Sequence, residues 1–221
     1  MTINIITPIY NDTANLLDTL NSIQEIKKNR YDLEINFIVV DNMSTDNLVG
    51  FLSDYKYPKG VSLLIREKDK GIYDAMNKGL ALCDKGHVLF LGAGDKILAL
   101  PKIIDESKVY YGTTIVDDSR YFVSTLDNFF TTNFSNLHHQ SMLVPVGFHK
   151  PFNTKYKTCA DYAHNVEMLI ENRAFEFDPD LLAYHMPGGA SSNTENVKKE
   201  IKKIQQRAKN LLIKGVIPDR I

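Results

Sequence analysis

Short strand-like runs and amphipathic helical stretches alternate through roughly the first hundred residues of the chain. The strand-like runs start at Ile3, Glu34, Val61 and Val88, and the turn YPKG precedes the third of them. We expect Asp12 to cap the first helix. The apolar positions at helical spacing are Leu16, Leu20 and Ile23, then Leu48, Phe51 and Leu52, then Ile72, Met76, Gly79, Leu80 and Cys83. This alternation predicts a parallel sheet with helices on both faces.

The second half of the chain has a different pattern. VYYGTTIV and RYFVSTL predict antiparallel strands, and HHQSMLVP is a further extended piece. ADYAHNVEMLIENR predicts a helix, and a long amphipathic helix follows from about Glu195 to Lys214. We interpret the chain as one mixed α/β domain (1–193), with a nucleotide-binding half (1–100) and an acceptor half (101–193), followed by a helical segment (194–221).

Composition and charge narrow the function classes. A net charge of −1 and the absence of interleaved basic and aromatic residues argue against a nucleic-acid role. Cys83 and Cys159 have no metal or redox spacing, which favours a reducing cytoplasm. No apolar run approaches the ~18 residues of a membrane span, and the start lacks a basic leader. We therefore expect a soluble cytoplasmic protein.

Polar segments follow the predicted parallel strands. They read TPIYND, DNMSTD, EKDKGIYDAMNKG and GAGD. Ligands of open parallel sheets bind beyond the C-terminal ends of the strands, so these segments are expected to surround a site. Solvation alone also makes such loops polar, and the joint content of the four segments is what favours a ligand site.

Six segments together resemble the family 2 inverting glycosyltransferases, which have the GT-A fold and use nucleotide-diphosphate sugars. They are ITPIYND, VVDNMSTDN, REKDKGIYDAMNKGLALCDKG, LFLGAGD, HHQSMLV and TCADYAHNVEML, of which DKGIYDAMNKG carries the most specific resemblance. The bacterial subgroup that assembles capsule, O-antigen or exopolysaccharide units is the most similar. The resemblance implies a mostly parallel GT-A sheet, a UDP-linked donor, and a glycan or lipid-pyrophosphate acceptor.

The resemblance implies a divalent cation, Mn²⁺ or Mg²⁺, for the donor diphosphate. The last residue of GAGD, Asp95, takes the place of the family's metal ligand, and His185 is a weaker metal candidate. Gly92 and Gly94 stand where the family usually carries further acids, and Gly94 would allow close backbone approach to the donor. The alternative is that Asp95 only caps the turn that follows it.

The nucleotide is expected between the first two strand ends. Carried over from the family, its contacts are Thr7, Pro8, Tyr10, Asp41 and Asn42. The ring of Tyr10 offers a face for a base, and Asp41 can accept a hydrogen bond from a base or a ribose hydroxyl. In the alternative interpretation, Tyr10 is a half-buried loop residue and Asp41 forms a turn.

The DKGIYDAMNKG segment has the features of a phosphate site. Gly71 precedes a helix N-terminus, which favours anions, and Lys70 adds positive charge. Asp74 and Asn77 share one helical face, which the resemblance turns toward the donor pocket. This face is otherwise an ordinary solvent-exposed one.

The resemblance also implies a general base and an acceptor side. Asp161 in TCADYAHNVEML is the expected base, which would take a proton from the acceptor hydroxyl. Its place at a helix start is equally that of a stabilising acid. His138, His139 and Gln140 are expected to contact the acceptor, although a structural role suits these histidines as well.

The C-terminal helix allows two interpretations. Its lysines surround an apolar stripe, so it is suited to an anionic membrane surface on the inner face of the plasma membrane. The stripe could equally pack on the domain. Its members are Val197, Ile201, Ile204, Ala208, Leu211 and Leu212.

Two other functions compete with sugar transfer. A sugar-nucleotide pyrophosphorylase would carry a glycine-rich signature after the first strand, and TPIYND has none. A catalytically degenerate donor-binding or scaffold domain would explain the reduced acidic motif GAGD. The presence of both Asp95 and Asp161 argues against degeneracy.

Overall fold

The computed structural model describes residues 1–54, 62–117, 120–123, 137–188 and 194–213. The strands are β1 (Thr2–Ile9), β2 (Glu34–Asp41), β3 (Leu63–Arg66), β4 (His87–Phe90), β5 (Lys96–Ala99), β6 (Lys108–Asp117), β7 (Arg120–Val123), β8 (Met142–Pro145) and β9 (Ala174–Tyr184). The helices are α1 (Thr13–Asn29), α2 (Leu48–Asp54), α3 (Ile72–Leu80), α4 (Ala160–Ile170) and α5 (Thr194–Ile213).

The described strands form one sheet in the order β3-β2-β1-β4-β8-β6-β9-β5, with β7 paired to β6. The pairs β1–β2, β1–β4 and β2–β3 are parallel, whereas β8 runs antiparallel to both β4 and β6. The front half is therefore a parallel sheet and the rear half is mixed. This arrangement confirms the predicted α/β fold class.

Helices α1 and α3 cover opposite faces of the parallel half. Leu16 and Leu20 of α1 share a buried cluster with Ile5 of β1, and Met76 of α3 shares another with Ile6. Consecutive residues of a strand point to opposite faces, which explains this division. Burial of each such side chain contributes about 1.5–3 kcal/mol. The helices thus hold β1 at the centre of two apolar layers.

The apolar stripe of α5 packs on the domain. Ile201, Ile204 and Ala208 are each at most 5% exposed, and they share a cluster with Tyr162 and Val166 of α4. The stripe is therefore unavailable to a bilayer, and only the lysine-rich face remains outward. The side chain of Leu212, and Lys214 as a whole, lie outside the described residues.

Several local expectations were wrong. Among the described residues Asp12 makes no side-chain cap on α1; instead, the Asp46 carboxylate accepts the Thr13 N–H at 2.8 Å. His139–Ser141 form a 3₁₀ turn rather than extended chain, and β8 begins only at Met142. Helix α3 ends at Leu80, before Cys83.

Two strands, β5 and β9, were not predicted. They pair with each other, and β9 also pairs with β6, so both depend on distant parts of the chain. The YPKG turn and residues 124–126 of the predicted RYFVSTL strand lie outside the described residues. In the part of the chain that the structure describes, no helix is both long and apolar enough to traverse a bilayer.

Candidate active site

A cleft of about 280 Å³ opens where the chain leaves β1 and β4. Asp12 and Asn15 line it after β1, and the GAGD turn lines it after β4. The rear half contributes the 139–140 turn, the start of α4 and the segment after β9. Five sequence-predicted residues meet in this cleft: Asp95, His139, Gln140, Asp161 and His185.

Asp95 is 4% exposed and accepts four hydrogen bonds. Its Oδ2 accepts the Gly92 N–H at 2.8 Å and the Gln140 Nε2 amide at 3.1 Å. Its Oδ1 accepts the Met186 N–H at 2.8 Å and lies 3.0 Å from His185 Nδ1. Asp95 therefore closes the GAGD turn that precedes it, rather than the following turn of the alternative interpretation, and it also faces the cleft.

The charge of Asp95 is stabilised by its neighbours. Burial alone would raise the pKa of this carboxyl, but the hydrogen bond and charge of His185 and the Met186 N–H together hold the pKa below its usual value. Asp95 is consequently an anion at neutral pH, which is the form that binds a cation.

The residues around Asp95 offer a partial donor set for a divalent cation. The set comprises the Asp95 carboxylate, the His185 imidazole and the amide of Gln140, whose buried Oε1 finds no hydrogen-bond partner among the described residues. Carboxylate and amide oxygens with an imidazole nitrogen suit Mn²⁺, with open positions left for phosphate oxygens. Across the described ranges, no group of three or more His, Cys, Asp or Glu residues is arranged to hold a metal.

Asp161 lies in the first turn of α4 on the other side of the cleft. Its Oδ2 is 3.0 Å from His139 Nδ1, and its Oδ1 accepts the Tyr73 hydroxyl at 2.8 Å and the Tyr162 N–H at 2.9 Å. Its side chain remains 23% exposed. The carboxylate is thus oriented on several sides and still open to the cleft.

The pKa values of Asp161 and His139 move apart. Burial would raise the pKa of Asp161, but the hydrogen bond and charge of His139, then the Tyr73 hydroxyl, lower it. Burial would lower the pKa of His139, and the Asp161 hydrogen bond and charge raise it instead. The two residues form an ion pair whenever His139 is protonated.

Tyr73 was missed by the sequence interpretation. It is 7% exposed, and the pKa of its phenol is raised by burial and by the charge of Asp161, so the group stays a hydrogen-bond donor. The signal was its position inside DKGIYDAMNKG, the segment with the most specific resemblance. The hydroxyl of a buried tyrosine usually has a hydrogen-bond partner, so a tyrosine in this segment was a candidate contact of the site. The sequence prediction named Asp74 and Asn77 of the same helix instead.

The turn at 138–140 contacts both carboxylates. His139 bonds Asp161, and the next residue, Gln140, bonds Asp95. The His138 ring lies 6.3 Å from that of His185, and burial together with the neighbouring histidines lowers the pKa of His138 to about 4. His138 does not line the described cleft. Acceptor contact by these residues stays a prediction.

The predicted nucleotide residues lie together at adjacent ends of β1 and β2, outside the lining of the 280 Å³ cleft. Asp41 is fully buried; its Oδ1 accepts the Ser44 N–H at 2.9 Å, and its Oδ2 lies 3.5 Å from Arg66 Nε without hydrogen-bond geometry. The Asn42 amide oxygen accepts the Asp69 N–H at 2.9 Å. Asp41 is thus a turn-former here, in agreement with the alternative interpretation.

The other members of this group differ in exposure. Thr7 and Pro8 are buried in β1, and the Thr7 hydroxyl finds no partner among the described residues. Tyr10 is 61% exposed, so it is not the half-buried residue of the alternative interpretation. An exposed ring beside a strand end remains accessible to a base.

The α3 residues are arranged differently from the expectation. Asp74 accepts the Lys70 N–H at 2.9 Å, and the Asn77 side chain bonds both backbone groups of Phe152. Neither residue lines the described cleft; Ile72, Tyr73 and Met76 of the same helix do. The polar face of α3 therefore makes hydrogen bonds to backbone groups, and residues of its apolar stripe line the cleft.

Gly71 and Gly94 both have positive φ. Gly71 (φ +123°) donates its N–H to the Asp69 carboxylate and leads into α3. A Cβ on Gly94 (φ +89°) would lie 2.2 Å from Met186 Sδ. Glycine at position 94 is thus favoured by its positive φ and by the close approach of Met186, which follows the candidate metal ligand His185. Donor contact by Gly94 stays a prediction.

The sequence pattern of one family covers most of the chain. The family described as "Glycosyl transferase family 2" matches residues 4–154. The chain belongs to glycosyl transferase family 2. This result confirms the predicted family, and the match ends before α4, so Asp161 and α5 lie beyond it.

Curated and solved relatives agree with this membership. A "PGL/p-HBAD biosynthesis glycosyltransferase" of Mycobacterium bovis (strain BCG / Pasteur 1173P2) is 28% identical over 179 residues, covering 74% of this chain and 68% of the relative. The structure of S. aureus TarS 1-349 in complex with UDP-GlcNAc superposes with a TM-score of 0.69 at 18% identity, covering 94% of this chain and 66% of the TarS 1-349 chain.

A second solved relative is the mannosyltransferase PcManGT from Pyrobaculum calidifontis, in complex with GDP-Man and Mn²⁺. It superposes with a TM-score of 0.62 at 17% identity, covering 95% of this chain and 64% of that one. This chain therefore spans slightly less than two thirds of either solved structure. At these identities the two likenesses support the fold, and the predicted GT-A fold is confirmed.

Proposed function

We propose that the chain is an inverting glycosyltransferase that uses Asp161 as the general base and a nucleotide-diphosphate sugar as the donor. The observation that carries the proposal is the pair of anionic carboxylates, Asp95 and Asp161, which face one cleft at the strand ends of a family 2 domain. A binding domain without catalysis has no need for the second, cleft-facing carboxylate.

Asp161 has the properties of a base for this reaction. Its Oδ2 would accept the proton of the acceptor hydroxyl while that oxygen bonds to the anomeric carbon and the bond from that carbon to the diphosphate breaks. His139 and Tyr73 hold the carboxylate in one orientation during attack. A single displacement inverts the anomeric centre.

Asp95, His185 and the Gln140 amide oxygen are the residues that would hold Mn²⁺ or Mg²⁺. A bound divalent cation supplies charge neutralisation for the departing diphosphate. The contacts of Asp95 to Gly92 and Met186 keep the carboxylate in place for that role. The Mn²⁺-bound mannosyltransferase of similar fold supports this proposal.

We propose a UDP-sugar as the donor, with Thr7, Pro8, Tyr10, Asp41 and Asn42 nearest the base and ribose. The UDP-GlcNAc complex of TarS supports UDP, and the GDP-Man complex of PcManGT keeps GDP as the competing choice. The predicted contact of Lys70, Gly71, Asp74, Asn77 and Gly94 with the donor belongs to the same proposal.

For the acceptor we propose a glycan, or a lipid-pyrophosphate-linked glycan, of a bacterial polysaccharide such as capsule, O-antigen or exopolysaccharide. His138, His139 and Gln140 lie on the proposed acceptor side. The lysine-rich outer face of α5 would provide peripheral contact with an anionic inner membrane surface. Residues 1–193 would then carry the reaction, and the segment 194–221 would support it.

Titration calorimetry tests the donor site first. UDP is titrated into the protein with Mn²⁺ and then with EDTA, and GDP is titrated in the same way. We expect UDP binding that requires Mn²⁺ and is lost in Asp95→Ala. Preference for GDP would change the donor and keep the reaction class.

Slow hydrolysis of the donor tests the chemistry without a known acceptor, because water can replace the acceptor hydroxyl. UDP release is measured from UDP-GlcNAc, UDP-glucose and UDP-galactose. Binding of UDP without release from any of these donors would favour a catalytically degenerate donor-binding domain. Failure to bind either nucleotide would contradict the proposal.

A further inference from the structure

Glu200, in the middle of α5, makes a concentrated set of contacts outside the cleft. Its carboxylate accepts three consecutive backbone N–H groups, those of Lys157 at 2.7 Å, Thr158 at 2.9 Å and Cys159 at 3.0 Å. The Thr158 hydroxyl donates a fourth hydrogen bond at 3.0 Å. One side chain thus fixes residues 157–159, which we call the lead-in to α4.

The start of α4 needs such a partner. Cys159 occupies the N-cap position, and within the described residues its side chain makes no capping hydrogen bond. Backbone N–H groups at a helix start require acceptors, and the positive end of the helix dipole favours an anion there. From another helix, 41 residues away in sequence, Glu200 accepts the N–H of the N-cap residue Cys159 and places a negative charge beside the helix start.

The segment that Glu200 holds belongs to the candidate active site. Lys157 and Thr158 line the cleft, and Asp161 follows Cys159 by only two positions. Any shift of the lead-in would therefore move the Asp161 carboxylate relative to Tyr73 and His139.

Helix α5 is itself fixed well enough to serve as the support. Ile201 and Ile204 are buried beside α4, and Gln205 Nε2 lies 3.4 Å from the Tyr162 hydroxyl. Burial would raise the pKa of Glu200, but the backbone N–H groups and the Thr158 hydroxyl lower it, so the carboxylate is charged at neutral pH. Glu200 is therefore a charged hydrogen-bond acceptor on a helix that is packed against α4.

We propose that Glu200 is a positioning residue for the general base: through the 157–159 backbone it sets the direction from which Asp161 enters the cleft. The proposal rests on the proposed function of Asp161. It also gives α5 a role in the reaction, although α5 lies outside the residues 4–154 that match the family.

The test compares Glu200→Gln with Glu195→Gln in the full chain. Both substitutions remove one negative charge from α5, but Glu195 is an exposed residue that pairs with Lys199 at 2.6 Å. Donor hydrolysis gives kcat, calorimetry with UDP and Mn²⁺ gives affinity, and hydrogen exchange reports the amides of 157–159. All assays run well below the melting temperature of each variant.

We expect Glu200→Gln to lower kcat at least about tenfold, since small misplacements of reacting groups are costly, with UDP affinity unchanged within about twofold. Exchange at 157–159 should accelerate in this variant, and Glu195→Gln should match the parent protein in all three measurements. Glu200→Ala should lower kcat further, because it leaves no acceptor.

Three results would overturn the proposal. They are an unchanged kcat in Glu200→Gln, a loss of kcat without faster exchange at 157–159, and an equal loss in Glu195→Gln. Asp161→Asn separates this proposal from the proposed function. A fully active Asp161→Asn would contradict the base assignment itself, whereas an inactive Asp161→Asn beside a fully active Glu200→Gln would contradict only the role of Glu200.

Discussion

The two carboxylates of the cleft are held in different ways. The Asp95 side chain is 6% exposed and receives two backbone N–H groups and two side chains, whereas the Asp161 side chain is 23% exposed and receives one backbone N–H and two side chains. Four donors hold the buried Asp95 carboxylate in its ionised form, while part of the Asp161 carboxylate stays exposed, where an acceptor hydroxyl can reach it. The comparison teaches that Asp95 is suited to a constant charge and Asp161 to a proton acceptor.

The largest effect is expected from Asp161→Asn. The amide keeps the size of the side chain and cannot take up the acceptor proton, so kcat should fall by about 10²–10⁴-fold with UDP affinity retained. Steady-state hydrolysis of the donor and calorimetry measure the two quantities. Normal turnover in this variant would contradict the role of Asp161 as the proton acceptor.

Asp95→Asn should show the opposite profile. We expect Mn²⁺-dependent UDP affinity to fall by about a hundredfold, because the variant loses the anionic donor at the centre of the candidate metal set. EDTA should then have no further effect on binding. Equal UDP affinity with and without Mn²⁺ in the unmodified protein would reduce Asp95 to a turn residue.

The region behind Asp161 should respond to acid. Burial lowers the pKa of His164, which is 5% exposed, to about 4. In the unfolded chain His164 has a pKa near 6.5 and binds a proton over a pH range in which the native state leaves it neutral. The free energy of unfolding therefore decreases as pH falls from 6.5 toward 4. For His164 this loss is about 2 kcal/mol between pH 7 and pH 5.

Urea unfolding at pH 7 and pH 5 measures that loss. In His164→Gln the loss should be smaller by about the same 2 kcal/mol, since glutamine does not titrate. His139 contributes with the opposite sign, because Asp161 raises its pKa, and its stabilisation is present at low pH and lost as pH rises. An identical pH dependence in the variant and the parent would contradict the assignment to His164.

The smallest effect is expected from Tyr73→Phe, which removes one of the three donors to Asp161. The kcat should fall about threefold to tenfold, a modest cost for one hydrogen bond to a charged group. Loss of a donor to the ionised form raises the pKa of Asp161, so the acid limb of the kcat/KM profile should move to higher pH. An unmoved limb would mean that Tyr73 does not orient the base.

Much of the fold was predictable because its signals are local. The stripe of Leu16 and Leu20, the apolar runs of β1 and β2, and the glycine before α3 each act within a few residues. Strand β9 was not predictable, since FEFDPDLLAY carries a proline and acids. Its partners β5 and β6 decide its structure.

The sequence predicted the titratable residues of the candidate site but not the hydrogen bonds between them. The family resemblance identified Asp95, Asp161 and His185, but Asp95 and His185 are separated by 90 residues, and no sequence pattern states that they touch. The same reason explains why Tyr73 and Glu200 were missed. Their roles depend on partners that only the packed fold brings near.

The turn at His139 and Gln140 has a consequence for the dimensions of the cleft. Each of these adjacent residues grips one of the two acids, so a single peptide unit acts as the spacer between the two sides of the cleft. One inserted residue at this turn would detach at least one acid from its holder. The spacing of the two carboxylates is therefore set by one dipeptide.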